Sequence, residues 1–122
     1  MGTFLVRMEL GDPEGHRYET VEALVDTGAT YTTVPGSTLR RLGVSPHTRG
    51  TFVSADSSRV ERDIGRTWLK LEEGEEIVPV IFGDEDSQPL LGAVTLEIFR
   101  LGVDALSQRL IPVPGLLMGQ RG

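Results

Sequence analysis

Residues 22–35 read EALVDTGATYTTVP, an apolar strand-like pattern that stops at Asp26-Thr27-Gly28 and then resumes. Val, Thr and Tyr are common in strands, whereas Asp and Gly favour turns. The stretch therefore predicts two strands joined by a short polar loop. An ordinary turn explains the Asp and the Gly, but it does not need a buried approach on both sides.

A hairpin is predicted before this loop. Residues 3–10, TFLVRMEL, alternate between apolar and polar side chains, as expected for a half-buried strand. The cluster GDPEG at 11–15 is typical of a turn, and YETVEALV at 18–25 resumes the alternation.

Beyond the loop, residues 35–43, PGSTLRRLG, predict one or two helical turns. Ser37 is a candidate N-cap, and Gly43 is a candidate C-terminal stop. Residues 49–66 predict a long hairpin with the polar tip Asp56-Ser57-Ser58.

The last part of the chain adds TWLKL and IVPVIF as further separate strands. A short apolar strand ending at Gly92 follows, then a helix over about residues 95–101 stopped by Gly102, and a closing β-hairpin. The total of about seven or eight short strands and one or two short helices predicts an all-β, mostly antiparallel barrel or sandwich. A doubly wound nucleotide-binding fold needs more and longer helices.

Composition excludes several classes of function. The net charge is -6 and the arginines are scattered along the chain, which disfavours nucleic acid as a partner. Cysteine is absent, so disulfides, thiolate metal sites and a cysteine nucleophile are excluded. Arg7 and Glu9 interrupt the first apolar run, so neither a signal peptide nor a membrane span is predicted. We expect a soluble, cytoplasmic protein with a peptide or small-molecule partner.

The common catalytic motifs are absent from the sequence. It contains no H-E-x-x-H, no G-x-S-x-G and no phosphate-binding G-x-x-x-x-G-K-[ST]. His16 and His47 lie in turn-like segments without a placed partner, which favours surface roles. We therefore predict no metal and no cofactor.

The pair of segments ALVDTGATYTTVP (23–35) and PLLGAVTLEIFRLGV (89–103) resembles the retroviral-type (retropepsin-like) aspartic protease family in its single-domain bacterial form. The resemblance extends from about Thr3 to Pro112. It implies a closed, barrel-like β fold and a homodimeric acid protease architecture. On this interpretation residues 1–113 form the protease protomer and residues 114–122 a C-terminal tail.

The resemblance also implies the functional residues. Asp26 is the expected catalytic residue, and the residues after it would support the active-site loop. A flap would close over the substrate, and a downstream strand would pack beside the loop. The implied loop residues are Thr27, Gly28 and Ala29, the flap residues Ala55, Asp56, Ser57 and Ser58, and the packing-strand residues Leu90, Leu91 and Gly92.

Hydrolysis of a peptide bond by this chemistry needs two acids, one to take a proton from water and one to polarise the carbonyl. Such a pair sharing one proton is the known arrangement of aspartic proteases. The sequence has one D-[ST]-G motif. The most similar tripeptide, Asp63-Ile64-Gly65, lacks the hydroxyl side chain at its middle position. We therefore expect a homodimer in which each copy supplies one Asp26, acting on a peptide or unfolded protein.

Two positions depart from the viral pattern. Thr30 stands where retroviral enzymes commonly have a second Asp, and Ala93 stands where they have an Arg after the downstream Gly. An ion pair that supports the active-site loop is therefore predicted to be lost at both ends together, which costs less than the loss of one partner.

One other interpretation stays open at this point, and a second is disfavoured. Asp26 is compatible with a simple turn residue in a catalytically inert dimeric β-domain that binds extended peptides or a protein partner. An aspartyl-phosphate enzyme usually shows D-K-T-G-T, and no Lys follows Asp26.

Overall fold

The computed structural model describes residues 3–115. Within them the chain forms nine strands and two short helices. In chain order the elements are β1 (Leu5–Gly11), β2 (Tyr18–Val25), β3 (Thr32–Pro35), α1 (Gly36–Arg41), β4 (Thr48–Val53), β5 (Arg59–Leu71), β6 (Gly74–Gly83), β7 (Leu90–Leu91), α2 (Ala93–Ile98), β8 (Leu101–Asp104) and β9 (Arg109–Pro112).

Seven strands form one sheet in the order β1-β2-β7-β3-β6-β5-β4. β1 also pairs with β5, where Leu10 lies opposite Leu69, so the sheet closes on itself and leaves only β4 outside the ring. The β2–β7 and β3–β6 pairs are parallel, and the other pairs in this sheet are antiparallel. This arrangement confirms the predicted mostly antiparallel, barrel-like β fold. β8 and β9 form a separate two-stranded sheet.

The core fills the inside of this ring because each strand turns alternate side chains inward. The predicted β1–β2 hairpin is present, with Leu5 opposite Leu24 and Gly11 opposite Tyr18. Side chains from the ring strands, both helices and β9 form one buried cluster, which includes Met8, Leu10, Ala23, Val25, Val34, Leu39, Leu69, Val78, Val80, Leu91, Leu96 and Leu110.

The prediction that TWLKL forms a strand separate from the preceding hairpin arm is wrong. Both belong to β5, a strand of 13 residues. Gly65 lies in its middle, where an added Cβ would lie 3.0 Å from a Val44 methyl and 3.1 Å from the Phe82 ring. The missing side chain lets the strand pass close to these residues, and pairing with β6 runs unbroken from Ile64 to Leu71.

The predicted bounds of the second helix are also wrong. α2 begins at Ala93, directly after Gly92, and ends at Ile98. The backbone reverses at Arg100, which has a positive φ of 55°. Gly102 therefore lies within β8 and does not stop the helix.

The predicted cap of the first helix needs one correction. Pro35 occupies the N-cap position of α1, without a side-chain cap. Ser37 lies inside the helix, where its backbone N–H and its hydroxyl both donate to Glu85. Gly43 follows the helix with a φ of 83°, consistent with the predicted stop.

The structure contains no helix, among the residues it describes, of the length and apolar character needed to cross a membrane. The proposed boundary at residue 113 stays a prediction, because residues 116–122 of the expected tail lie outside the described part.

Candidate active site

The Asp26 loop is a tight turn at the end of β2. The Asp26 N–H donates to the Leu91 carbonyl at 3.0 Å, which continues the β2–β7 ladder by one residue. One carboxylate oxygen, Oδ1, accepts from the Gly28 N–H at 3.0 Å, and the Asp26 carbonyl accepts from the Ala29 N–H at 3.1 Å. Asp26 is half-buried, and Thr27 and Gly28 are exposed. The loop thus holds a carboxylate in a fixed position at the surface.

β7 fixes the other side of this loop. It lies between β2, to which it is parallel, and β3, to which it is antiparallel. Gly92 follows immediately and packs against the backbone of Tyr31. A Cβ at Gly92 would lie 2.5 Å from the Tyr31 carbonyl carbon and 2.6 Å from its oxygen. The predicted packing segment therefore lies against the loop at a distance that only glycine permits.

A buried hydroxyl pair ties the loop to the start of α2. The Thr32 Oγ1 accepts from the Gly92 N–H at 3.1 Å and lies 2.7 Å from the Thr95 Oγ1. Both threonines are fully buried. The N–H groups of Ala93 and Val94 donate to the carbonyls of Ala29 and Thr30, at 2.8 and 2.9 Å.

These contacts explain how the loop is held without the ion pair common in retroviral enzymes. Thr30 and Ala93 occupy the two positions that differ from the viral pattern. Neutral backbone hydrogen bonds connect the segments that contain them. Neutral groups that are fully hydrogen-bonded avoid the desolvation penalty of a buried charge pair.

A cleft of about 510 Å³ separates the loop from the hairpin formed by β4 and β5. Tyr31 from the loop side and Phe52 from β4 meet edge to face across it, with ring centroids 6.0 Å apart at an angle of 81°. Most of the lining is apolar or neutral, and among the described lining residues only Arg62 is charged. The lining comprises Gly28, Ala29, Thr30, Tyr31, Thr33, Thr51, Phe52, Val53, Ser54, Val60, Arg62 and Ile81.

The tip of the β4–β5 hairpin is held by one carboxylate. Asp56 Oδ1 accepts from the Ser58 hydroxyl at 2.7 Å, the Ser54 hydroxyl at 2.7 Å and the Ser58 N–H at 3.0 Å. The Ser58 and Ser54 hydroxyls lower the pKa of Asp56 to about 2. Ser57 adopts a positive φ of 72°, the role that glycine often takes in such turns.

The structure brings the predicted loop residues and Leu90, Leu91 and Gly92 together, and Gly28 and Ala29 line the cleft. The predicted flap residues, at positions 55–58, are exposed at the hairpin tip, whereas the cleft is lined by the hairpin arms. Their role as a flap stays a prediction.

Sequence reasoning missed several residues of the site. Thr32 and Val34 share one face of β3 by strand periodicity, so a buried polar Thr32 was a detectable signal. Its partner Thr95 is 63 residues away and left no local trace. The roles of Tyr31, Phe52 and Arg62 depend on how the hairpin folds over the loop.

One group outside the cleft has potential metal ligands. The ligand atoms of Asp12, Glu14 and His16, in the β1–β2 turn, lie within 4.8 Å of one another. Asp12 Oδ1 already accepts from the N–H groups of His16 and Arg17, at 2.6 and 3.0 Å. These bonds lower the pKa of Asp12, with Arg17 contributing most, and they account for its place in the turn.

Comparison with known proteins adds a family match. Residues 6–95 match a family model described as aspartyl protease. The chain is also similar to the protease of simian foamy virus (mac), solved in solution, at 19% identity over 79% of this chain and 94% of that one, with a TM-score of 0.56. The retroviral protease-like domain of Ddi1 from Leishmania major is 22% identical over 96% and 98% of the two chains, with a TM-score of 0.54.

A retropepsin-like aspartic protease from Rickettsia conorii is 21% identical over 85% of this chain and 94% of that one, with a TM-score of 0.41. Among curated proteins, no sequence has a significant match. The viral and Leishmania structures confirm the retropepsin-like fold expected from the sequence.

Proposed function

The chain belongs to the aspartyl protease family, and from this premise we propose that it is an aspartic endopeptidase. In this proposal two copies of the chain form a homodimer, and water is activated between their two Asp26 carboxylates. The observation that carries the proposal is the Asp26 loop, which holds a carboxylate at the surface beside a cleft and is fixed by the Leu91, Gly28 and Ala29 bonds.

The need for a second copy follows from the chemistry. A shared proton requires two close carboxylates, the known arrangement of aspartic proteases. Each chain has one D-T-G. Thr27 and Gly28 are exposed, and the Thr27 hydroxyl forms no hydrogen bond within residues 3–115. A hydroxyl free on this surface is available to bind the loop of a partner copy across a two-fold axis.

The two carboxylates then have different roles. The ionised Asp26 takes a proton from water as the water oxygen attacks the peptide carbonyl carbon, and the protonated Asp26 of the other copy donates its proton to the carbonyl oxygen. In the tetrahedral diol that results, the first Asp26 donates its newly acquired proton to the amide nitrogen as the C–N bond breaks, and the Asp26 of the other copy takes a proton from one diol hydroxyl. The products are a carboxylic acid and an amine, and the dyad again holds one proton.

The β4–β5 hairpin supplies the cover for the substrate in this proposal. Its arms line the cleft, and an extended peptide lying there is shielded from water when the hairpin tip, with Ala55, Asp56, Ser57 and Ser58, closes over it. A cytoplasmic location, compatible with the lack of cysteine, stays a prediction.

The decisive test compares wild type with Asp26→Asn on a mixed peptide library, with cleavage read by mass spectrometry. The amide keeps the shape of the side chain but cannot take the proton, so we expect turnover to fall by at least about 100-fold while peptide binding persists. Asp86→Asn makes the same chemical change at an exposed position outside the cleft lining and should leave cleavage unchanged.

Unchanged cuts in Asp26→Asn would refute the proposal. Peptide binding without cuts in any variant would favour the inert peptide-binding domain instead. The same series across pH tests the shared proton, because the rate should peak at about pH 4–6 and fall once both carboxylates are ionised. A flat rate into alkaline pH contradicts a dyad.

A further inference from the structure

We infer that Arg62 makes the cleft select an acidic side chain in its peptide substrate. The inference rests on the proposed function, since it takes the cleft as the place where the peptide binds. Arg62 is the one charged residue among the described residues that line the cleft.

The position of Arg62 in β5 directs it towards the substrate. Residues two apart on a strand share a face, so Arg62 shares a face with Val60, another lining residue. Gly50 lies directly opposite Arg62 on β4. That cross-strand pair therefore contributes no second side chain that could cover the guanidinium group. The Arg62 side chain is 31% exposed, accessible from the cleft but largely removed from water.

The acids beside Arg62 in the sequence do not neutralise it. Arg49 binds both of them, with contacts of 3.4 Å to Glu61 and 2.6 Å to Asp63. Glu61 also accepts from the Thr51 hydroxyl at 3.0 Å. Arg62 Nη1 instead donates to the backbone carbonyl of Glu61 at 3.0 Å, which orients the guanidinium plane without cancelling its charge.

One acid does contact Arg62, and a substrate can compete with it. Arg62 Nη2 lies 3.2 and 3.3 Å from the two carboxylate oxygens of Asp84, whose side chain is 73% exposed. A pair exposed on one side to this extent is screened by water and contributes little. A substrate carboxylate that enters the cleft is better shielded, and arginine has further N–H donors with which to bind it.

The net charge of the whole chain limits the preference for an acidic side chain to one peptide position. At a net charge of -6, the protein as a whole repels acidic peptides. A preference for acid must therefore be local, at the single peptide position whose side chain reaches Arg62. Acids at other positions should be neutral or unfavourable.

The test uses matched peptides that differ only by Glu or Gln at each position around the cut. At about pH 6, where a peptide carboxylate is ionised, we expect kcat/KM to favour Glu by about tenfold at one position. Arg62→Gln should bring that ratio close to one, and Asp84→Asn should raise it because the competitor is removed. Below about pH 4 the ratio should fall because the substrate Glu becomes protonated.

Arg66→Gln is the matched control, since it removes the same charge four residues along β5 from an exposed side chain outside the cleft lining. It should leave the ratio unchanged. Cleavage by wild type without any Glu preference, or a ratio that survives Arg62→Gln, would overturn the inference and leave the proposed function intact.

Binding separates the two proposals if no peptide is cut. The same Glu and Gln peptides are titrated onto Asp26→Asn and onto Asp26→Asn combined with Arg62→Gln, with fluorescence anisotropy as the readout. Tighter binding of the Glu peptide that disappears with Arg62 supports the inference even where the protease proposal fails. Equal binding of both peptides by Asp26→Asn overturns it.

Discussion

Gly92 shows at the level of one residue how tightly the active-site loop is built. Its backbone angles, φ -96° and ψ 175°, are open to any amino acid. Glycine is required there because of contact, since an added Cβ would lie 2.5 Å from the carbonyl carbon of Tyr31. The carbonyl carbon and oxygen of Tyr31 belong to the backbone, so they cannot move aside without shifting β7 or the Asp26 loop.

We therefore predict that Gly92→Ala destabilises the protein by about 1–3 kcal/mol, the usual cost of forcing extra atoms into a packed region. Chemical denaturation measures this as a lower free energy of unfolding. Gly115→Ala is the control, because among residues 3–115 its Cβ would meet only the Arg100 side chain, at 3.7 Å, and it should change stability by less than about 0.5 kcal/mol. Equal stability of Gly92→Ala and wild type would contradict the packing described for the loop.

Asp26 and Gly28 were predictable as candidate site residues because the D-T-G turn between two strands is a local pattern. Strand periodicity could also have revealed Thr32 as a buried polar residue, but its pairing with Thr95 was not predictable, since it depends on the spatial arrangement of β2, β7 and β3 in the sheet. The same holds for Arg62: its type was visible, but its place in the cleft required the three-dimensional path of β5.

At the level of elements, the β4–β5 hairpin has a tip stabilised by an ionised acid. The pKa of Asp56 is lowered to about 2, first by the Ser58 hydroxyl and then by the Ser54 hydroxyl. A lowered pKa in the folded protein means that the stabilisation is complete above the ordinary value of 3.8 and is lost as pH falls towards 2. The tip should thus remain ordered throughout the acid range proposed for catalysis.

The lowered pKa of Asp56 can be tested directly. In an NMR titration of the folded protein, the Asp56 carboxyl should titrate near 2, and Ser58→Ala should move its pKa up towards 3.8 because the largest cause is removed. Ser57→Ala is the control, since the Ser57 hydroxyl does not bind Asp56. Titration of wild-type Asp56 at its ordinary pKa would show that the tip is open in solution.

Alternation of apolar residues was enough to predict most strands, because each has one buried face. It failed within the long strand β5, since a break in the pattern around Gly65 looked like the end of a strand. The bounds of α2 were also predicted wrongly. Gly92 and Arg100 set its limits, and not Gly102. The role of Gly92 depends on tertiary contacts and that of Arg100 on a positive φ, and neither is visible in the sequence pattern.

For the whole molecule, the Asp26 loop lies at the surface of the closed ring. The chain contains no second D-T-G that could supply another catalytic acid. The predicted β class followed from strand count and length, which favour a barrel or a sandwich, and the closed ring was implied by the family resemblance. The association of two copies could not be derived in the same way, because it depends on surface complementarity that no pattern in one chain encodes. It must be tested in solution.

A mixing experiment makes this test. If an active site needs Asp26 from both copies, wild-type protein mixed and equilibrated with an equal amount of Asp26→Asn should lose about half its activity, because random pairing puts half of the wild-type subunits into mixed dimers. An equal amount of an unrelated inert protein is the control and should cause no loss. Dilution of wild type alone should also lower its specific activity, with sedimentation showing the matching shift to monomer. Activity that is unaffected by the inactive variant, at concentrations where mixed dimers are shown to form, would establish that one Asp26 suffices and that the two-carboxylate mechanism is wrong for this protein.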